Sequence, residues 1–487
     1  MAIDLDAYRR AAEEFLSALD REYLLHYSGR QDTFDIEPIY ERHAALFSRE
    51  AVDGLREAGA PAALVEFATE GHIGRETRSE SAELARLEAA LELEWDGERI
   101  PFRSAAVVQA NEPDPERRAR LEAARNELTE AELNPRLRDL LDRSHALTRE
   151  LGWPSNVAMC AELSGIDLRA LQAQTAAFLE ATDDGYEAIV EPQVRRQIGL
   201  GFAELRRSDL PAFFRAASLD THFPAERLLP ALTETLGAMG IDLESQAGVK
   251  IDMESRPNKS PRAFCAPVRV PDEVHLVISP VGGRDDFAAL FHEAGHTEHY
   301  ANVDAALPFE DRYLGDNSVT EGFAFLFEHL VSNPHWLRER LGVEDPGPIV
   351  EHGRASKLVF LRRYAAKLVY ELELHGGRPV EGLEHRYARG LSEALHVDWP
   401  TSPWLADVDD FFYAARYLRA WALETHTRAR LTDRFGARWF GDPAAGAFIR
   451  ELWRRGQSAE GGEGILAAVG GSELDFGVLA EDLGVPV

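Results

Sequence analysis

The segment FHEAGHTEHY, residues 291–300, places two histidines four residues apart with a glutamate directly after the first. On an α-helix, residues i and i+4 lie about 40° apart around the axis, so His292 and His296 can direct their imidazoles at one ion. Glu293 is turned by about 100° from His292, a placement that suits proton exchange with a water rather than ligation. These residue types at this spacing describe the chemistry of a zinc hydrolase. Chance supplies such a pattern in about one chain in fifteen of this composition. Two imidazoles do not complete a metal site, so the rest of the chain has to supply a third ligand.

A histidine six residues after His296 would serve, but Asn302 stands there. Glu298 follows too soon and points off the face. Downstream, NSVTEGFAFLFEHLV offers Glu321 and Glu328, seven apart and therefore on one helix face. Two local readings of Glu321 stand side by side. Ser318-x-x-Glu321 spells a capping box, in which the glutamate bonds back to the helix start, and the same carboxylate can instead reach a metal. Phe323, Phe325, Leu326, Phe327 and Leu330 surround it with apolar groups, where two carboxylates are costly unless compensated. A metal ligand backed by a carboxylate-to-imidazole contact compensates both. The expectation is Glu321 as ligand and Glu328 as the group that orients a ligand histidine.

Taken together, HEAGHTEH resembles the HExGHxxH signature of the thimet oligopeptidase and oligoendopeptidase F family of zinc peptidases. Glu321 lies 25 residues beyond His296 and Glu328 seven further, the places of the ligand glutamate and of a second glutamate in that family. The resemblance is specific over residues 260–335 and looser elsewhere. It implies a mainly α, two-lobed metallopeptidase with a small antiparallel β-sheet beside the active-site helix. It also implies one zinc ion per chain on His292, His296 and Glu321, Glu293 as base, and short peptides as substrates in a deep channel. His299 matches the third histidine of the signature, with helix packing as the alternative role. Residues 273–279, EVHLVIS, resemble the strand that holds an extended peptide in related enzymes, which makes His275 and Val277 candidate substrate contacts; an ordinary buried strand is the alternative. In DDFFYAARYLRAW, Tyr417 and then Tyr413 match the tyrosines that stabilise an oxyanion, although aromatics at helical spacing are more often core. Val408 and Ala420 stand where the thimet-type enzymes carry a further histidine and a further tyrosine. Arg416 and Arg419 could bind a peptide carboxylate or simply be solvated. A carboxypeptidase or dipeptidase on the same scaffold, or a non-catalytic zinc-containing peptide binder, are the alternatives; Glu293 argues against the last.

The elements that must position these residues are mostly helices. Gly295 costs about 1 kcal/mol relative to alanine inside a helix, so close approach of another segment is expected there. Asp285 and Asp286 are expected to cap a helix starting near Phe287. Ahead of it, GVKIDM, RAFCAPVRV and EVHLVISPV read as short strands of a small antiparallel sheet. Amphipathic helix fills most of residues 5–240, with Tyr8, Ala12, Phe15, Leu19 and Tyr23 as the first apolar stripe and Gly29 as its stop. Breaks are expected at Gly59 to Pro61 and Gly152 to Pro154, and a hairpin at Asp96-Gly97. The expected division is a helical lobe over 1–240 and a catalytic lobe over 241–487.

Composition narrows the functional class. The 487 residues carry 53 Lys+Arg and 84 Asp+Glu, so the net charge of 53 − 84 = −31 argues against a nucleic-acid partner. Cys160 and Cys265 have no metal-type spacing and are expected to be free thiols. No apolar run approaches the ~18 residues of a membrane span, and MAIDLDAYRRAAEEF lacks the pattern of a secretory signal. A soluble, cytoplasmic protein without membrane partners is expected; oligomeric state is not encoded in any recognisable pattern.

Overall fold

The computed structural model describes residues 3–457 and 460–485, and the chain is mainly helical. The first helix, Leu5–Tyr27 (α1), begins where Asp4 accepts hydrogen bonds from the amides of Asp6 and Ala7. It ends before Gly29, which adopts a φ of 70° that side chains other than glycine avoid. Tyr8, Ala12 and Phe15 are buried as expected, but Tyr23 remains 37 % exposed and Leu24 is buried instead. Residues 15 and 24 are two and a half turns apart, so they lie on opposite sides of the helix. The first half of α1 therefore buries one face against Phe47 and Phe67, and the second half buries the other against a sheet.

That sheet has three strands, Val249–Asp252 (β3), Phe264–Arg269 (β4) and Glu273–Val277 (β5), in the order β3-β5-β4. An earlier hairpin, Glu92–Trp95 (β1) and Glu98–Pro101 (β2), turns at Asp96 and Gly97, whose φ values of 49° and 86° give the expected tight turn. The three-stranded sheet differs from expectation in two ways. It is mixed, because β3 pairs parallel to β5 while β4 pairs antiparallel. And β5 is the middle strand: His275 is opposite both Lys250 and Ala266, and Val277 opposite both Asp252 and Phe264. Its main chain is consumed by pairing, so EVHLVIS cannot accept a peptide as an added strand. Alternating apolar residues mark a run as a strand but do not say which neighbours flank it.

Packing divides the chain into two units, and not at residue 240. One gathers Met1–Thr69, Leu219–Val350 and Arg419–Leu479; the other gathers Glu70–Ser218, Glu351–Leu418 and Ala480–Val487. A linear cut fails because α1 belongs with residues far along the chain. Arg9 holds Glu310 through two hydrogen bonds of 2.9 and 2.6 Å, and Arg312 holds Glu13 at 3.0 and 2.9 Å. Leu24 shares a core with Ala266, Val268 and Val277. In the second unit the β1–β2 hairpin buries Leu93, Trp95 and Ile100 with Phe102 and Leu121. Among the described residues no helix is long and apolar enough to cross a membrane.

Candidate metal centre

The helix Arg284–Ala301 (α2) starts at Gly283, whose φ of 92° lets the chain turn sharply into it. Asp286 does not cap this start in the expected sense; it reaches back to accept from the amides of Val281 and Gly282, both at 2.8 Å. Asp220 takes the capping role by accepting from the Arg284 amide at 3.0 Å. The helix Ser318–Glu328 (α3) follows from Asn317, with no side-chain cap. The capping box at Ser318 therefore does not form, and Glu321 is directed elsewhere.

Gly295 shows where it is directed. A Cβ at that position would lie 2.6 Å from both the Ala324 Cα and the Phe323 carbonyl oxygen. α2 and α3 thus cross at backbone contact, which only glycine permits. The crossing brings Glu321 against His292, three residues before Gly295, and His296, directly after it. Its Oε2 lies 3.4 Å from His292 Nε2 and 3.7 Å from His296 Nε2, and the ligand atoms of the three residues lie within 4.8 Å of one another. Ligands at the ~2.0–2.1 Å typical of zinc–nitrogen and zinc–oxygen bonds sit about 3.4 Å apart on a tetrahedron. Two imidazoles and one carboxylate at these separations fit a zinc ion with a fourth position left for solvent.

The other ring nitrogens are anchored. His292 Nδ1 bonds Glu328 Oε2 at 2.9 Å and His296 Nδ1 bonds Thr320 Oγ1 at 2.8 Å. A carboxylate only accepts, so His292 donates from Nδ1, and Nε2 is the ring nitrogen turned toward Glu321. Burial opposes charge on His292, but hydrogen bonds to Glu321 and Glu328 outweigh it and push its pKa up to about 10. The upward push expresses the demand of two carboxylates for positive charge at this point, which a divalent cation meets. His296 is pushed down to about 4 by burial, the neutral form that metal ligation needs.

Glu293 lies beside this group. Its Oε2 accepts a 2.9 Å hydrogen bond from the main-chain amide of Cys265 on β4. Burial pushes its pKa up to about 7, against the opposing effects of His292 and the Cys265 amide. A carboxylate poised near neutrality and fixed in direction is suited to accept and return a proton.

No family model matches the chain, and no curated protein matches it.

Of the remaining candidates, several fall outside this group. His299 is fully buried, bonds the Gly456 carbonyl at 3.0 Å and packs on Phe323, so it fastens α2 to the C-terminal segment rather than supporting a ligand. His275 is buried and bonds Glu273 at 3.1 Å, and Val277 lies in the core with Leu24; neither side chain is available to a substrate. Arg419 is buried between Asp316 and Glu463, at 3.0 and 2.7 Å, which corrects its reading as a carboxylate binder. Arg416 is buried as well. Tyr413 and Tyr417 open the helix Tyr413–Phe435 and themselves belong to the second unit; their rings lie 4.7 Å apart, with Tyr417 also against Tyr364. Both cysteines are free. Sequence reasoning missed Thr320 and the Cys265 amide. The first is a common residue whose only signal is its place directly before Glu321, and the second is a backbone group with no side-chain signature.

Proposed function

We propose that this chain is a zinc-dependent peptidase acting on short peptides in the cytoplasm, in the manner of the thimet oligopeptidase and oligoendopeptidase F family. The observation that carries this reading is the convergence of His292, His296 and Glu321, with Glu293 held beside them by the Cys265 amide. A zinc ion bound there supplies Lewis acidity and a water that ionises near neutral pH. Glu293 takes the proton released as water attacks the scissile carbonyl and passes it to the departing amine. Glu328 and Thr320 keep the imidazoles aimed through both steps. An extended peptide has the outer strand β4, rather than β5, to lie against.

A mixed-peptide digest with and without chelator tests the class, and Glu293→Gln tests the mechanism. The variant is expected to retain its zinc and lose turnover by about 10²–10⁴-fold, the usual worth of a general base. Undiminished cleavage by Glu293→Gln would overturn the assignment.

A further inference from the structure

One face of α1 carries Glu13, Asp20, Leu24 and Tyr27, because steps of seven, four and three residues return close to the same angle. This face runs along β4. At one end Arg312, held by Glu13, donates to the Val270 carbonyl at 2.7 Å. In the middle Leu24 packs on Ala266 and Val268. At the other end the Tyr27 ring meets Phe264, and the Tyr27 carbonyl accepts from the Ser260 amide at 2.7 Å. Asp20 lies between these contacts, turned toward the strand that holds Glu293.

Asp20 differs from the acidic groups around it. Glu13 pairs with Arg312, and Glu273 with Arg21. Asp20 has no hydrogen-bond or ion-pair partner among the described residues. Burial pushes its carboxyl up to about 7. Burial also raises Tyr23, Cys265, Tyr300 and Tyr313, and the charge on Asp20 adds to each, which places it among them. A half-buried carboxylate with no partner is costly and serves no purpose in folding.

Beside it lies an apolar patch. Tyr23, Tyr27 and Phe34 are three of only five large hydrophobic side chains exposed among the described residues. Their rings form one cluster, with centroids 5.8 Å apart for Tyr23 and Tyr27 and 5.0 Å for Tyr23 and Phe34. Partly exposed aromatic rings next to an uncommitted carboxylate suit an organic cation, which gains a charge-assisted hydrogen bond and contact with ring π-systems.

Resting on the peptidase reading above, we propose that Asp20, flanked by Tyr23 and Tyr27, binds a positively charged group of the peptide and makes this enzyme selective for cationic substrates. The group is the free amino terminus or a lysine or arginine side chain, since both present the same chemistry. The net charge of −31 steers such peptides toward the chain.

The test reads binding without turnover. Full-length Glu293→Gln is titrated calorimetrically with four matched octapeptides, acetylated or free at the amino terminus and carrying lysine or norleucine at a central position. Removing the decisive charge is expected to weaken binding by about tenfold, and whichever removal does so identifies the source of the cation. Adding Asp20→Asn is expected to abolish the difference while leaving the uncharged peptide bound as before. Equal binding of all four peptides, no binding of any, or a charge preference that survives Asp20→Asn would each overturn the proposal. The peptide comparison with Asp20 intact stands whatever the stability of the Asn variant. Failure of the peptidase reading shows separately, as absence of cleavage by the unaltered chain.

Discussion

In the second unit, the Lys367 ammonium stands among three carboxylates, 2.8 Å from Asp409, 3.8 Å from Glu371 and 3.9 Å from Asp407. In the first, two imidazole nitrogens and one carboxylate oxygen face a common point, 3.4 and 3.7 Å apart along two edges. Both are buried constellations of polar groups, but they are organised differently. Around Lys367 the positive centre is covalently part of the chain, and the carboxylates gather at unequal distances. Around Glu321 the inward-facing atoms are electron-pair donors, each His Nδ1 is tied down from behind, and two of the separations, 3.4 and 3.7 Å, lie near the ~3.4 Å edge of a zinc tetrahedron. A cluster built around its own cation is suited to folding; a cluster of donors aimed at one point is suited to hold a cation from outside.

Changes to each cluster should separate these roles. Lys367→Met removes the cation from buried carboxylates and is expected to cost about 3–5 kcal/mol of stability, read by chemical denaturation, with zinc content unchanged in the protein that folds. Lost zinc without lost stability would break the contrast. Glu328→Gln should act the other way, lowering zinc affinity by about 10–100-fold in a competition titration with a chromophoric chelator, while the denaturation midpoint hardly moves. The smallest effect concerns protons. Burial raises Glu371 from 4.5 to about 8, and Lys367 only partly offsets this. The folded chain thus keeps a proton that the unfolded chain releases, so this contribution is full below about 4.5 and is lost as pH rises through about 8. Glu371→Gln is expected to flatten the decline in stability between pH 5 and pH 8; an unchanged slope would show that Glu371 is ionised throughout.

The helix of His292 and His296 was readable because its spacing, its neighbouring glutamates and its glycine are all local signals. His292 and His296 share a face by helix geometry alone, Glu321 and Glu328 likewise, and Gly295 marked a close contact whose partner only the fold could supply. What joins the two helices is tertiary, which is why the capping-box reading of Ser318 and Glu321 could not be settled locally. The sheet was legible as strands but not as an order, since nothing in EVHLVIS distinguishes a strand paired on one side from one paired on both. The division at residue 240 failed for the same reason: Glu13 and Leu24 find their partners at Arg312 and in β4. Asp20 was hidden inside an amphipathic stripe that changes face midway along α1, so a single periodic pattern passed over it.

The zinc content of the purified chain, measured by mass spectrometry of the elements beside that of Glu321→Ala, bears most directly on the three-residue centre. One zinc per chain is expected, falling to near zero when Glu321 is replaced. A chain that takes up no zinc when offered it, or a variant that retains its full complement, would contradict the convergence of His292, His296 and Glu321 on a metal.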